Sequence, residues 1–212
     1  MRLLVLAASA LMLAGCNVAV STTPLFTAAD EAGAPRLKPG VWSLEQQDCT
    51  FDEAKPVPEW PDCAAGAVVK PGEAVGYDRK KEGPVWEHNP MVFAAGNPRI
   101  LQIRMVGEKV GEGPDKAEPY GYAAARPTKR DRQGRITAIH YWIILCGPPP
   151  PKTTHGKEPV FGTLHPLPGM KMKPGEAMCI ATSAKAIRGA AKPSEGWADK
   201  TMDAHWVREG DQ

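Results

Sequence analysis

Residues 136–146 read ITAIHYWIILC, and both faces of this run are apolar in an extended chain except at Thr137 and His140. A strand that is apolar on both faces is typical of a sheet centre, where other elements cover each side. The turn Arg132-Gln133-Gly134-Arg135 precedes the run, and Gly147 followed by four prolines ends it. Because proline donates no hydrogen bond to a ladder, the strand stops there. The sequence therefore predicts a central strand over residues 136–146, entered through a hairpin.

Other extended segments flank this strand. Residues 100–106 read ILQIRMV, in which apolar positions alternate with Gln102 and Arg104. This alternation predicts a half-buried strand with one wet face. Residues 176–181 predict a last strand, after which Ser183 is a candidate N-cap for a short helix from Ala184 to about Lys192.

Glycine and proline are abundant, with 21 and 22 residues. Glycine and proline at this frequency shorten helices and add turns, which favours β structure. The stretch from Gly147 to Gly175 is predicted to be a long, proline-broken loop. The expected fold class is mainly β (α+β): an antiparallel sheet or sandwich-like domain with one short C-terminal helix.

The N-terminus has the layout of a secretory signal. One basic residue, Arg2, precedes an apolar run from Leu3 to Met12, and small residues follow. This run is too short to cross about 30 Å of hydrocarbon, which needs about 20 apolar residues. A plain secretory signal, cut elsewhere, would leave Cys16 as an ordinary thiol.

The residues Leu13-Ala14-Gly15-Cys16 resemble the lipobox of bacterial lipoproteins. The resemblance implies that the signal is cut before Cys16, whose thiol carries diacylglycerol and whose new amino group is acylated. Several acyl chains on one residue anchor a protein stably. Asn17 follows the cysteine, and the absence of Asp there favours the outer membrane over the inner one. The expected organisation is a signal peptide over 1–15, a lipidated N-terminus and flexible tether over 16–38, and a disulfide-braced, β-rich periplasmic domain over 39–212.

Four cysteines remain besides Cys16. An even count in an exported chain predicts two disulfides, for which three connectivities exist. The expected pairs are Cys49–Cys63 and Cys146–Cys179, because each joins cysteines within one local segment. A zinc site or catalytic thiol is the alternative, but no Cys-x-x-Cys is present and the spacings fit no zinc module.

The charge balance excludes an obvious nucleic-acid partner. Without residues 1–15, Lys+Arg falls from 26 to 25 against 24 acidic residues, so the remaining chain is close to neutral. A basic cluster nevertheless surrounds the predicted hairpin. It could meet anionic lipid head groups or cell-wall carboxylates, although exposed charge is normally just solvated. Its members are Arg126, Lys129, Arg130, Arg132 and Arg135.

Met170, Met172 and Met178, with His165 nearby, suggest a copper site, since thioether sulfur is a soft ligand for Cu(I). The alternative is that methionine fills irregular parts of the core. The five histidines are dispersed. His140 is expected to be a hydrogen-bonded core residue, and His155 and His165 in the loop are the remaining candidates for ligation.

Catalytic motifs are missing from the sequence. It contains no Gly-x-Ser-x-Gly elbow, phosphate loop, Gly-x-Gly-x-x-Gly fingerprint or zincin helix, so neither a catalytic residue nor a cofactor is expected. Four features of the body resemble small uncharacterised lipoproteins of alphaproteobacteria, a resemblance that implies a location and no activity. They are Trp42, Trp60-Pro61-Asp62-Cys63-Ala64, Gly96-Asn97-Pro98 and Cys146-Gly147-Pro148-Pro149.

The sequence leads to one function and two alternatives. The first is a lipid-anchored envelope protein, non-enzymatic, that acts as a structural or partner-binding module on an envelope protein or the cell wall. The second is a small-ligand or metal-binding periplasmic lipoprotein that uses loop 147–175 as a lid. The third is a periplasmic hydrolase.

Overall fold

The computed structural model describes residues 17–44, 49–78, 85–107, 117–149, 165–172, 178–198 and 201–210. Within these ranges the chain forms eleven β-strands, one α-helix and two short 3-10 helices, Ala28–Glu31 and Val57–Glu59. The strands and helix are β1 Val18–Ser21, β2 Gly40–Leu44, β3 Ala65–Lys70, β4 Glu73–Asp78, β5 Val85–Ala94, β6 Arg99–Arg104, β7 Tyr120–Arg130, β8 Ile136–Ile143, β9 Met170–Lys171, β10 Met178–Ala181, α1 Ala184–Trp197 and β11 Met202–Arg208. The predicted fold class, mainly β with one helix towards the C-terminus, is confirmed.

Eight strands close into one sheet. Their order is β6-β5-β4-β3-β2-β11-β8-β7, and β7 pairs again with β6. Every neighbouring pair in this ring, called the closed sheet below, is antiparallel. The strands thus form one continuous ring where a sandwich would have two sheets. Outside the ring, β1 pairs with the start of β7, β10 runs parallel to β1, and β9 pairs with β10.

The strand that closes the ring is β11, which pairs with β2 on one side and β8 on the other. The prediction of a last strand ending at Ala181 is therefore wrong, because β11 follows the helix. Apolar and polar side chains alternate along β11: Ala204 lies in the interior core, while Asp203 and His205 face outwards among polar groups.

Side chains fill the interior of the closed sheet. An eight-stranded ring is just wide enough for side chains. Trp42, Met91, Phe93 and Ile139 are buried there. Leu101, Ile103, Tyr141 and Trp206 pack against them.

Two further clusters cover the outer face. The helix-side cluster lies under α1 and contains Phe26, Ile100, Tyr122, Trp142 and Ile187. The loop-side cluster lies under residues 49–63 and contains Val41, Val57, Trp60, Val68 and Val75. Strand β8 is therefore covered on both faces at Trp142, as its apolar sequence predicts.

The helix begins where the sequence predicts and ends later. Ser183 caps it, accepting a hydrogen bond from Ala186 N at 3.2 Å. It continues through Pro193 to Trp197, although proline removes one helical hydrogen bond. Packing offsets that loss: the hydroxyl of Ser194 is buried, donates to Ala190 O at 2.7 Å and accepts from Leu145 N at 2.9 Å.

The N-terminal segment from Asn17 onwards is folded against the body. The prediction of a flexible tether over residues 16–38 is therefore wrong for the part that the structure describes. Asn17 is 1% exposed, and Phe26 is 1% exposed in the helix-side cluster. Gln102 holds the segment in place. Its Oε1 accepts from Leu25 N at 2.8 Å and Phe26 N at 2.9 Å, and its Nε2 donates to Phe26 O at 2.9 Å.

The wet face predicted for the strand at 100–106 is accordingly wrong at Gln102, which is 3% exposed. Its polar groups are used to bind a backbone segment from elsewhere in the chain. Arg104, on the same face, is exposed and pairs with Glu118 at 3.0 Å.

Both predicted disulfides are present. Cys49 and Cys63 lie 5.6 Å apart at their Cα atoms, and Cys146 and Cys179 lie 6.0 Å apart. The first closes the loop over the loop-side cluster, and the second ties β10 to the end of the β8 segment. Cys16, the signal residues 1–15, His155 and most of loop 147–175 lie outside the described residues. In the part of the chain that the structure describes, no helix is long and apolar enough to span a bilayer.

Candidate functional site

A groove opens where the pairing of β8 and β11 ends. Their pairing ends at Ala138↔His205, while β8 stays paired with β7 as far as Ile136↔Arg130. Residues 36–38 lie beside β8 at this end: Ile136 N donates to Arg36 O, and Lys38 N donates to Ile136 O, both at 2.8 Å. The resulting groove, of about 730 Å³, is called the basic groove below.

The lining of the basic groove combines charged, hydroxyl and apolar side chains. Two cations, Lys38 and Lys129, line it together with two hydroxyl groups, Thr128 and Thr137. The remaining lining residues are Asp131, Ala138, Ile139, Asp203, Ala204, His205 and Trp206.

The two carboxylates in the lining are already engaged. Asp131 accepts hydrogen bonds from Arg135 Nε at 2.7 Å, from Gln133 N at 2.9 Å and from Arg135 N at 3.0 Å. Desolvation opposes ionisation of Asp131, but these hydrogen bonds outweigh it and hold the pKa of its carboxyl below the ordinary value. Asp203 bonds His140 Nδ1 at 2.8 Å. Asp131 is thus paired with a cation of its own, Arg135, while Asp203 is hydrogen-bonded to His140.

Lys38 is fixed by tryptophans on two strands. Trp42 Nε1 donates to Lys38 O at 2.8 Å, and Trp206 Nε1 donates to Pro39 O at 2.9 Å. The Lys38 ammonium lies 3.2 Å from the centre of the Trp206 ring, a cation–π contact. This contact covers one face of the indole and holds the charge at the groove wall.

Exposed cations continue the positive charge along the edge. Lys129 pairs with Ala138, and the β7–β8 register shifts on either side of it. Lys129, Arg130, Arg132 and Arg36 are exposed, and none has an acidic partner within the described ranges. These four residues are called the basic rim.

The structure brings together three of the five basic residues that the sequence suggested. Lys129, Arg130 and Arg132 lie at the hairpin end, whereas Arg126 and Arg135 are bound internally. Arg126 forms a two-pronged ion pair with Glu195 of α1 and stacks 4.7 Å from the Trp142 ring. The hydrogen bond from Arg126 to Glu195 raises the pKa of Arg126 and lowers that of Glu195.

Arg36 and Lys38 were missed by the sequence reasoning. Lys38 is the last residue of the predicted tether and is followed by Pro39 and Gly40. Nothing in the local sequence indicates that this segment lies beside Ile136, about a hundred residues later.

The suggested copper ligands are not gathered into a polar site. Met170 is 6% exposed, and Met172 packs against the same helix-side cluster, as expected of core methionines. His165 is exposed. Among the described residues, no group of three or more His, Cys, Asp and Glu side chains could hold a metal ion.

The histidines of β8 and β11 contact carboxylates on the outer face. His140 was expected in the core, but its side chain is 30% exposed, because it faces out from β8 towards Asp203 on β11. His205 Nε2 lies 3.0 Å from Glu53 Oε2. Glu53 also accepts from the Ser43 hydroxyl; desolvation raises its pKa, but the hydrogen bonds from His205 and Ser43 outweigh that and lower it.

This arrangement does not resemble a hydrolase centre. The carboxylate of Glu53 lies between Ser43 and His205, so the hydroxyl is directed to an acid and not to an imidazole base. All four cysteines in the described ranges are in disulfides. Arg208 donates to Glu53 O and, at 2.9 Å, to Lys55 O. The group therefore holds the disulfide loop on the sheet.

Comparisons of this chain with models of protein families, with curated proteins and with solved structures find no match. The function is therefore argued from the site alone.

Proposed function

We propose that the chain is a lipid-anchored protein of the bacterial cell envelope and acts as a non-enzymatic binding module for an acidic partner. The observation that carries the proposal is the basic groove. Lys38 and Lys129 line a cleft of about 730 Å³ whose own acids are engaged, beside a rim of exposed cations. Exposed cations without partners attract anions, and guanidinium and ammonium groups recognise carboxylates.

The filled interior supports binding on the outside. Trp42, Met91 and Phe93 occupy the space within the closed sheet that a carrier of small molecules would need. The groove is open to solvent, which suits a polar chain lying on the surface better than an enclosed ligand.

The envelope location is supported by two features. The lipobox ends at Cys16, directly before the first described residue. The two disulfides fit an oxidising compartment outside the cytoplasm.

The anchor is tested with Cys16→Ser. Cells that express either form are fed an alkyne-labelled palmitate analogue and fractionated. The parent chain should take up label and sediment with membranes, and C16S should do neither. Label uptake by C16S, or none by the parent, would contradict the lipid anchor.

Acidic binding is tested with poly-L-glutamate as the probe. The rim variant carries Lys129→Glu, Arg130→Glu and Arg132→Glu; a control variant carries Lys55→Glu, Lys185→Glu and Lys192→Glu, which change net charge equally at exposed positions elsewhere. The parent and the control should bind, more weakly as salt rises, and the rim variant should lose most binding. Equal losses in both variants would show a net-charge effect and reject the groove.

A further inference from the structure

Asn17, the residue that follows the proposed point of lipid attachment, is held firmly by the body. Asn17 is 1% exposed; its Nδ2 donates to Gly147 O at 2.6 Å, and its carbonyl accepts from Cys146 N at 2.8 Å. Strand β1 begins at the next residue. Cys16 is the residue that directly precedes Asn17 in the sequence. A lipid on Cys16 therefore holds this end of the body, the anchor end, at the membrane surface.

The basic groove lies at the opposite end of the same strand. Strand β8 starts at Ile136 beside the groove, and its continuation reaches Cys146 beside Asn17. Ten residues at about 3.3 Å each place the groove roughly 30 Å from the anchor end.

The anchor end also carries side chains that suit a membrane surface. Met178 pairs with Val18 and is 38% exposed, one of the two large apolar side chains exposed in the described ranges. Lys171 is exposed on the neighbouring strand, opposite Ile180. An apolar side chain with a cation next to it favours contact with lipid head groups at this end.

Distance then separates the basic rim from the anchoring membrane. The Debye length is about 8 to 10 Å at physiological ionic strength, so a surface potential falls to about a twentieth over roughly 30 Å. Head groups of the anchoring membrane would scarcely attract Lys129, Arg130 and Arg132.

On the basis of the proposed function, we infer that the acidic partner is the carboxylate-bearing glycan–peptide polymer of the cell wall, bound by the basic groove at the end facing away from the anchoring membrane. A polymer that lies across the surface matches a groove that is open to solvent. Exposed lysine and arginine side chains reach carboxylates spaced along a flexible chain, while Thr128 and Thr137 offer hydroxyl groups to its polar backbone.

The test uses the full lipidated protein reconstituted in phosphatidylcholine vesicles and sedimented with purified cell-wall sacculi. The vesicles should be captured by native sacculi, and capture should fall about tenfold or more when the sacculus carboxylates are amidated or when the rim variant is used. The Lys55, Lys185 and Lys192 control variant should be captured like the parent.

A second arm separates the cell wall from the membrane. The protein is reconstituted with phosphatidylglycerol in the same vesicles, which should change sacculus capture by less than about twofold because of the distance. Capture that disappears with anionic lipid would show that the rim lies on its own membrane and would overturn the inference. Binding to poly-L-glutamate with no capture of sacculi would also overturn it while leaving the proposed function intact. Loss of both would reject the two together.

Discussion

Replacing Gln102 with leucine should release the N-terminal segment from the body. The leucine keeps the approximate size of the side chain but removes the partners of three backbone groups: the buried Phe26 N–H and Phe26 C=O and the partly buried Leu25 N–H. A buried polar group left without a partner costs about 1 to 3 kcal/mol. The loss of three partners, partly offset by the apolar burial of leucine, should weaken the docking of the N-terminal segment by about 3 to 5 kcal/mol.

The assay combines urea unfolding with amide hydrogen exchange, disulfides intact. If the segment stays docked, the free energy of unfolding should fall by about 3 to 5 kcal/mol; if it undocks alone, the fall is limited to its docking energy. In both cases the amides of Leu25 and Phe26 should lose protection. Gln133→Leu, at an exposed turn position, is the matched control and should change stability by about 0.5 kcal/mol or less. A Gln102→Leu variant within 1 kcal/mol of the parent, with both amides still protected, would refute the role given to Gln102.

Three other changes give measurable outcomes. Removing the Cys146–Cys179 disulfide by changing both residues to alanine should lower the free energy of unfolding by about 4 kcal/mol for its separation of 33 residues, measured by urea denaturation; a loss under about 1 kcal/mol would contradict this. A double-mutant cycle on Arg126 and Glu195 should give about 0.5 to 1 kcal/mol of coupling, since both side chains are about a third exposed. The hydrogen bond from Arg126 lowers the pKa of Glu195 from 4.5. The contribution of this pair to the free energy of unfolding is therefore present above pH 4.5 and lost on acidification. In Arg126→Ala the free energy of unfolding should fall less steeply on acidification. Desolvation raises the pKa of Tyr122 from 10.0 to about 12. The free energy of unfolding should therefore fall between pH 10.0 and about pH 12, because the folded state holds the phenol proton more tightly. Tyr122→Phe should remove this part of the alkaline pH dependence.

Local sequence patterns predicted much of the fold. The apolar run at residues 136–146 is covered on both faces around Trp142, Ser183 does cap the helix, and each disulfide joins cysteines within one segment. These features depend on neighbours in the chain or on the period of one element, which a single sequence displays.

Long-range contacts account for what was missed. Gln102 looks like a water-facing residue because its partners are backbone groups 76 and 77 residues away, which no side-chain pattern encodes. The site shows the same limit. The rim residues Lys129, Arg130 and Arg132 are visible as a charged turn, but the partner that removes Arg126 from the group, Glu195, lies 69 residues away.

The closure of the sheet has a consequence for how the chain is made. Strand β2, near the start of the folded body, pairs with β11, which ends at Arg208. The ring cannot close until nearly the whole chain is available, and pairings this distant in sequence form slowly. Until then β2 and β8 each present an open strand edge, the kind of surface that pairs with other chains. The chain is thus exposed to aggregation until β11 is available, and a chain that ends before β11 would keep both edges open.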